Sequence, residues 1–115
     1  MLDHVTIRVS DRRASEAFYY TVLGALGIEQ TANDERLVEW DELSIAGDGP
    51  LTRRLHVGFR AAGHAEVDAF WQAGIDAGHH DDGAPGPRAQ YVEDHYGAFL
   101  LDPDGNNVEV VNHHR

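Results

Sequence analysis

LDHVTIRVSDRRASEAFYY (residues 2–20) and RLHVGFRAAGHAEVDAFWQ (residues 54–72) are one stretch written twice. Set in a single register, His4 falls on His56, an offset of 52 (56 minus 4). The same offset places Val5 on Val57, Arg8 on Arg60, Ala17 on Ala69, Phe18 on Phe70 and Ala25 on Ala77. Tyr19 meets Trp71, an aromatic for an aromatic, and no gap interrupts the match. Repeated register of this kind marks a duplicated structural unit.

Each copy opens with side-chain alternation of period two, the signature of a strand. Val5, Ile7 and Val9 point one way, and His4, Thr6 and Arg8 the other. In the second copy Leu55, Val57 and Phe59 oppose His56, Gly58 and Arg60. A helix follows each strand. Asp11 is a capping residue for the first, and Ala14, Ala17, Phe18 and Val22 give it an apolar stripe. Val67, Phe70, Trp71 and Ile75 do the same for the second. Gly24, Gly27, Gly74 and Gly78 lie towards the helix ends, where glycine commonly terminates a helix. Short strands are expected over 28–31, 36–40 and 43–46, then over 97–101 and 107–111, with a weaker one near His80. GDGP at 47–50 is the linker between copies, and DPDG at 102–105 is a strong turn signal. Residues 79–96 read as a long polar Gly/Pro-rich loop, a length often tied to function.

The 115 residues fit one domain, with module one over 1–50 and module two over 51–115. No apolar run approaches the roughly 18 residues of a membrane span. The strand-like opening MLDHVTIRVSD is not a secretory signal, so the cytoplasm is the expected location. No cysteine is present, which excludes disulfides and thiolate metal sites. A formal net charge of −11 disfavours nucleic acid and anionic membranes as partners. Eight histidines raise the prior for metal binding or pH-dependent chemistry.

Alternation on the last strand sets Val108 and Val110 on the apolar face and Asn107, Glu109 and Val111 on the other. His4, His56 and Glu109 therefore all lie opposite the helix-packing side. If the copies pack into one curved sheet, the two histidines meet across a pseudo-twofold axis and Glu109 completes the cluster. Two imidazoles and a carboxylate with open positions suit Fe(II), and also accept Mn, Ni or Zn. Such an ion takes two adjacent substrate oxygens and acts as a Lewis acid, or activates dioxygen if it is iron. The plain alternative is a solvated sheet face, which any one of these residues alone would favour. The three together favour the metal site.

The chain resembles the vicinal oxygen chelate superfamily, which contains glyoxalase I, bleomycin-resistance-type binding proteins and extradiol dioxygenases. The resemblance rests on LDHVTIRVSD with AFYYTVLGALG, on LHVGFRA with VDAFWQAGIDAG, and on YGAFLLDPDGNNVEVV. It implies an α+β fold of two tandem βαβββ modules making a cup-shaped mixed sheet, usually in a homodimer. It implies ligands from the first strand of each module and the last strand of the second, which are His4, His56 and Glu109. A fourth glyoxalase I-type ligand would fall at Ser44 in DELSIAGDG, with Glu42 on the same face. Serine is a poor ligand, which points away from a standard glyoxalase I and towards a three-ligand site.

Tyr96 and Tyr91 are candidate catalytic residues that donate to a substrate oxygen, with His95 a further loose counterpart of dioxygenase residues. Arg8, Arg60 and Ser44 are candidates for substrate binding, the arginines for a carboxylate or enolate; pairing with the many acidic residues competes with that role. Arg88 is a weaker candidate anion clamp. His79, His80, Asp81 and Asp82 look like a second metal patch, but a solvated turn is the better reading. Trp40, Trp71, Phe18 and Phe70 read as core. No GxSxG elbow or phosphate-binding glycine loop occurs. Two functions compete: a metal-dependent lyase, isomerase or dioxygenase acting on a small oxygenated molecule, and a metal-free protein that sequesters a drug or metabolite.

Overall fold

The duplication is reproduced element for element in the computed structural model, which describes residues 2–88 and 95–113. The first copy runs β1 (Val5–Arg8), α1 (Arg12–Gly24), β2 (Ala32–Asn33), β3 (Val38–Trp40) and β4 (Leu43–Ala46). The second runs β5 (His56–Arg60), α2 (His64–Asp76), β6 (His80–Pro87), β7 (Tyr96–Leu101) and β8 (Asn107–Asn112). Each copy makes its own four-stranded mixed sheet, in the orders β1-β4-β3-β2 and β5-β8-β7-β6. In each, the opening strand lies parallel to the last and the remaining pairs are antiparallel. A parallel pair needs a long crossover, and the helix is part of it. This is the α+β, double βαβββ architecture expected from the sequence. No hydrogen-bonded ladder joins the two sheets among the described residues. No described helix is long and apolar enough to cross a membrane.

Helix α1 starts where expected: the Asp11 carboxylate accepts from the Ala14 N–H at 3.1 Å. Its buried stripe is Ser15, Phe18, Tyr19, Val22 and Leu23, with Ala17 exposed, so the stripe is rotated slightly from the expected one. Both helices stop in the same way. Gly27 and Gly78 take φ of 77° and 90°, and Ile28 N–H reaches Leu23 O as His79 N–H reaches Gly74 O. This double closure around a left-handed glycine satisfies the last carbonyls.

Gly74 itself is no terminator, contrary to the sequence reading. A Cβ there would lie 2.4 Å from Leu100 Cδ1 and 3.3 Å from Val22 Cγ1. Both neighbours are fully buried. Gly74 is the point where the two helices and β7 close on one another. Gly74→Ala gains about 1 kcal/mol of helix propensity but forces apart a packed core, a cost of roughly 1–3 kcal/mol. A net loss in urea denaturation is expected; an unchanged midpoint would show that Leu100 repacks freely.

Two further expectations are corrected. The segment 28–31 is not a strand, and the pairing starts later, with Ala32 opposite Glu39. The weaker strand expected near His80 extends over 80–87 as β6, which takes that part of the expected loop 79–96 and pairs with β7 through irregularities at Asp81/Gly83 and Gly83/Gly86. Glycine and proline obscure this strand in the sequence. They are tolerated because β6 is an edge, where bulges and missing donors disrupt no second neighbour.

The modules share one apolar core, from Ile7, Phe18, Trp40 and Ile45 to Val67, Phe70, Leu100 and Val108. Polar links tie them as well. The Tyr19 hydroxyl donates to Asp102 Oδ2 at 2.7 Å, Ser10 N–H donates to Asp104 Oδ2 at 3.1 Å, and Phe18 stands edge-on to His79. Trp40, Phe18 and Phe70 are core as expected. Trp71 is half-buried and donates its indole N–H to Asp81 Oδ1 at 3.0 Å.

Candidate functional site

The parallel ladder of β5 and β8 sets His56 opposite Asn107 and Gly58 opposite Glu109. These four positions share the face turned away from α2. Glu109 is mostly buried, with its side chain 11% exposed, whereas His56 is 57% exposed. His56 Nε2 lies 2.9 Å from Glu109 Oε1. Gly58 leaves the space above Glu109 open, since a Cβ there would sit 3.5 Å from Oε1.

The hydrogen-bond network assigns the protons. Asn107 Nδ2 lies 2.5 Å from Asp82 Oδ2. A carboxylate only accepts, so the amide nitrogen faces Asp82 and Asn107 Oδ1 is left to accept from His56 Nδ1, its partner. His56 therefore carries its proton on Nδ1. Its Nε2 lone pair then faces Glu109 Oε1, acceptor against acceptor. A second proton on Nε2, or a cation held by both atoms, makes this contact favourable.

The other oxygen of Glu109 is also engaged. His95 is buried, and its Nε2–H donates to Glu109 Oε2 at 3.0 Å. The wall beside this group is aromatic: Phe99 is paired with Glu109 across β7–β8 and lies 6.3 Å from the His56 ring. Arg88 sits over Phe99 at 5.6 Å, and its guanidinium is bonded to the Ala84 and Pro87 carbonyls.

The other described sequence candidates are not bonded to this pair. His4 is exposed and bonded to Asp3 at 2.9 Å. Among the described residues, no three His, Cys, Asp or Glu side chains are grouped to hold a metal ion. Within one chain, then, His56 and Glu109 come together and His4 does not join them. Ser44 is buried and bonded to the Thr6 hydroxyl at 2.8 Å. Arg8 pairs with Asp48 of the linker at 3.5 Å, an exposed and screened contact. Arg60 lines a cleft of about 390 Å³ between the modules, with Trp40, Asp41, Glu42, Leu43 and Phe59.

Tyr96 lies on the opposite face. It stacks on His64 at 3.7 Å and donates its hydroxyl to Asp68 at 2.7 Å, both on α2. That hydrogen bond raises its pKa above the ordinary phenol value. Tyr91 lies outside the described residues. The patch at 79–82 is dispersed: Asp81 accepts from Trp71 and Gly83, Asp82 from Asn107, and His79 packs on Phe18. Burial lowers the His79 pKa, with a smaller contribution from His80.

The sequence reading gives Asn107 no role beyond sharing the Glu109 face, and it leaves Asp82 in a solvated turn. The contact of Asp82 with Asn107 depends on β6, of which the sequence shows only a weak strand near His80.

Comparison with known proteins agrees with this fold. A glyoxalase/bleomycin resistance protein from Albidiferax ferrireducens T118 is 33% identical, with 96% of this chain and 97% of that chain covered and a TM-score of 0.81. A putative glyoxalase from Bacillus halodurans is 27% identical, with 97% and 95% covered and a TM-score of 0.76. At 22% identity, lactoylglutathione lyase from Agrobacterium tumefaciens shares the fold, with 97% and 92% covered and a TM-score of 0.73. No protein of curated function matches the chain. The family model of the Glyoxalase/Bleomycin resistance protein/Dioxygenase superfamily matches residues 1–110, and the chain belongs to that superfamily.

Proposed function

We propose that this chain is a metal-dependent enzyme acting on a small oxygenated molecule, as a lyase, isomerase or dioxygenase. The observation that carries this reading is the His56–Glu109 pair. The Asp82–Asn107 relay turns a lone pair on Nε2 towards a carboxylate oxygen 2.9 Å away. An imidazole nitrogen and a carboxylate oxygen are both ordinary ligands of divalent ions, and here they share one open face. The donor set therefore fits an ion such as Fe(II), Mn, Ni or Zn. A bound ion would polarise adjacent substrate oxygens as a Lewis acid.

The chain's own residues do the rest. Asn107 keeps the His56 ring in one tautomer and orientation. Phe99 offers an apolar wall beside the polar pair, and Gly58 leaves the approach open. His4 is the third ligand, and because it lies apart within one chain, a second copy supplies it. The working unit is then a homodimer with each site shared between copies, placed in the cytoplasm. Tyr91 is retained as a candidate substrate-facing residue, with Arg8, Arg60 and Ser44 as candidates for substrate binding. Tyr96, on the opposite face and bonded to Asp68 of α2, takes no part in this site.

Metal analysis of untagged protein tests this reading. Near-stoichiometric metal after incubation with Fe(II), Mn, Ni and Zn in turn is expected. Protein that stays metal-free in all four overturns it. A metal-free binding protein is the second reading, favoured by one feature: His56 Nε2 and Glu109 Oε1 stand 2.9 Å apart, at the distance of a direct hydrogen-bonded pair.

A further inference from the structure

We propose that His95 is a positioning residue that holds Glu109 by one oxygen and so presents the other to the site. The role rests on the metal-site reading above and extends it to a residue that touches neither ion nor substrate. His95 precedes β7 and is only 8% exposed. A residue so covered does not meet a substrate on the open face. Its Nε2–H instead donates to Glu109 Oε2 at 3.0 Å.

The backbone around it is shaped for this contact. His95 lies across Gly97, where an added Cβ would come within 3.2 Å of His95 Nε2 and 3.0 Å of the Val110 carbonyl. Any side chain at 97 would fill the slot that the imidazole occupies. On its other side the ring stands edge-on to His113 at 5.0 Å. Glu109 is thus framed by two glycines: Gly97 admits the His95 ring to one oxygen, and Gly58 leaves the other accessible. With Oε2 bound, only Oε1 is directed at His56. A long side chain otherwise free to rotate is fixed in one geometry before any ligand arrives, which is how an outer partner tunes a ligating carboxylate.

Imidazole ¹H–¹⁵N spectra of the metal-free protein test the contact directly. A slowly exchanging His95 Nε2–H is expected, with its resonance displaced in Glu109→Gln. In His95→Leu the His56 signals should shift, because the carboxylate facing them has lost its anchor. His95→Gln keeps a donor near the position of Nε2 and should restore them towards wild type. Titration with Mn²⁺ alone should show affinity falling about 10–100-fold in His95→Leu and staying within about threefold in His95→Gln.

Unmoved His56 signals or unmoved Mn²⁺ affinity in His95→Leu would overturn the proposal. So would a Gln variant no better than the Leu variant. Wild-type protein that shows the expected imidazole shifts but takes up no metal supports the positioning role and defeats the metal reading instead.

Discussion

Glu109→Ala is expected to lose metal altogether, with affinity for Mn²⁺ or Zn²⁺ at least about 100-fold weaker than wild type. Among the described residues Glu109 is the one carboxylate bonded to His56, and it is held from behind by His95. Its loss removes a negative charge that would balance a bound cation. It also removes the carboxylate that His95 Nε2–H meets in a buried position. His56→Ala should lose metal to a similar degree while disturbing the fold less, because His56 is largely exposed.

His4→Ala separates the possible architectures. If His4 serves a site made with a second copy, the variant loses metal although His4 touches neither His56 nor Glu109 in its own chain. Mixing His4→Ala with Glu109→Ala protein and allowing subunits to exchange should then restore metal to about a quarter of the sites, since half the dimers are mixed and each has one intact site. Isothermal titration and metal content by mass spectrometry give the two readouts. Full binding by His4→Ala would remove it from the ligand set, and no recovery on mixing would remove the shared site.

Asp102→Ala is expected to give the largest loss of stability. The DPDG stretch reads as a turn in the sequence, but in the fold its first residue is a buried junction. Asp102 is 2% exposed. Its carboxylate accepts from the backbone N–H groups of Asp104 and Asn106, from the Asn106 side chain and from the Tyr19 hydroxyl. Burial first, and then the Asp102 carboxylate, hold the Tyr19 phenol well above its ordinary pKa, so it stays protonated and donates. One side chain therefore shapes the β7–β8 turn and anchors α1 of the other module to it.

Alanine leaves at least two buried donors unpaired, at roughly 1–3 kcal/mol each. A loss of about 3 kcal/mol or more follows, with Tm lower by roughly 10 °C or more. Tyr19→Phe removes the donor together with its need for a partner and should cost about 1 kcal/mol. Thermal unfolding of the two variants checks the order. A fall of no more than about 2 °C for Asp102→Ala would show that the turn and the module junction hold without the carboxylate.

The sequence alone determined the duplication, the two helices, the strands that open and close each module, and the face each side chain takes. Period-two and helical patterns are local properties, and they placed Asn107 and Glu109 on the His56 face before any coordinates. The family was legible for the same reason, because its motifs lie in those regular segments. Edge strand β6 was legible only as a weak strand near His80, since its glycines and prolines are permitted only by the absence of a second neighbour. The role of Gly74 was hidden because close approach of helices is a property of the partner surfaces. Only the tertiary structure decided which polar residues on a shared face meet. Parity grouped His4, His56 and Glu109, yet parity carries no distance. The ladder register, the Asp82–Asn107 relay and the buried His95 select the His56–Glu109 pair, while His4, just ahead of β1, is bonded to its neighbour Asp3.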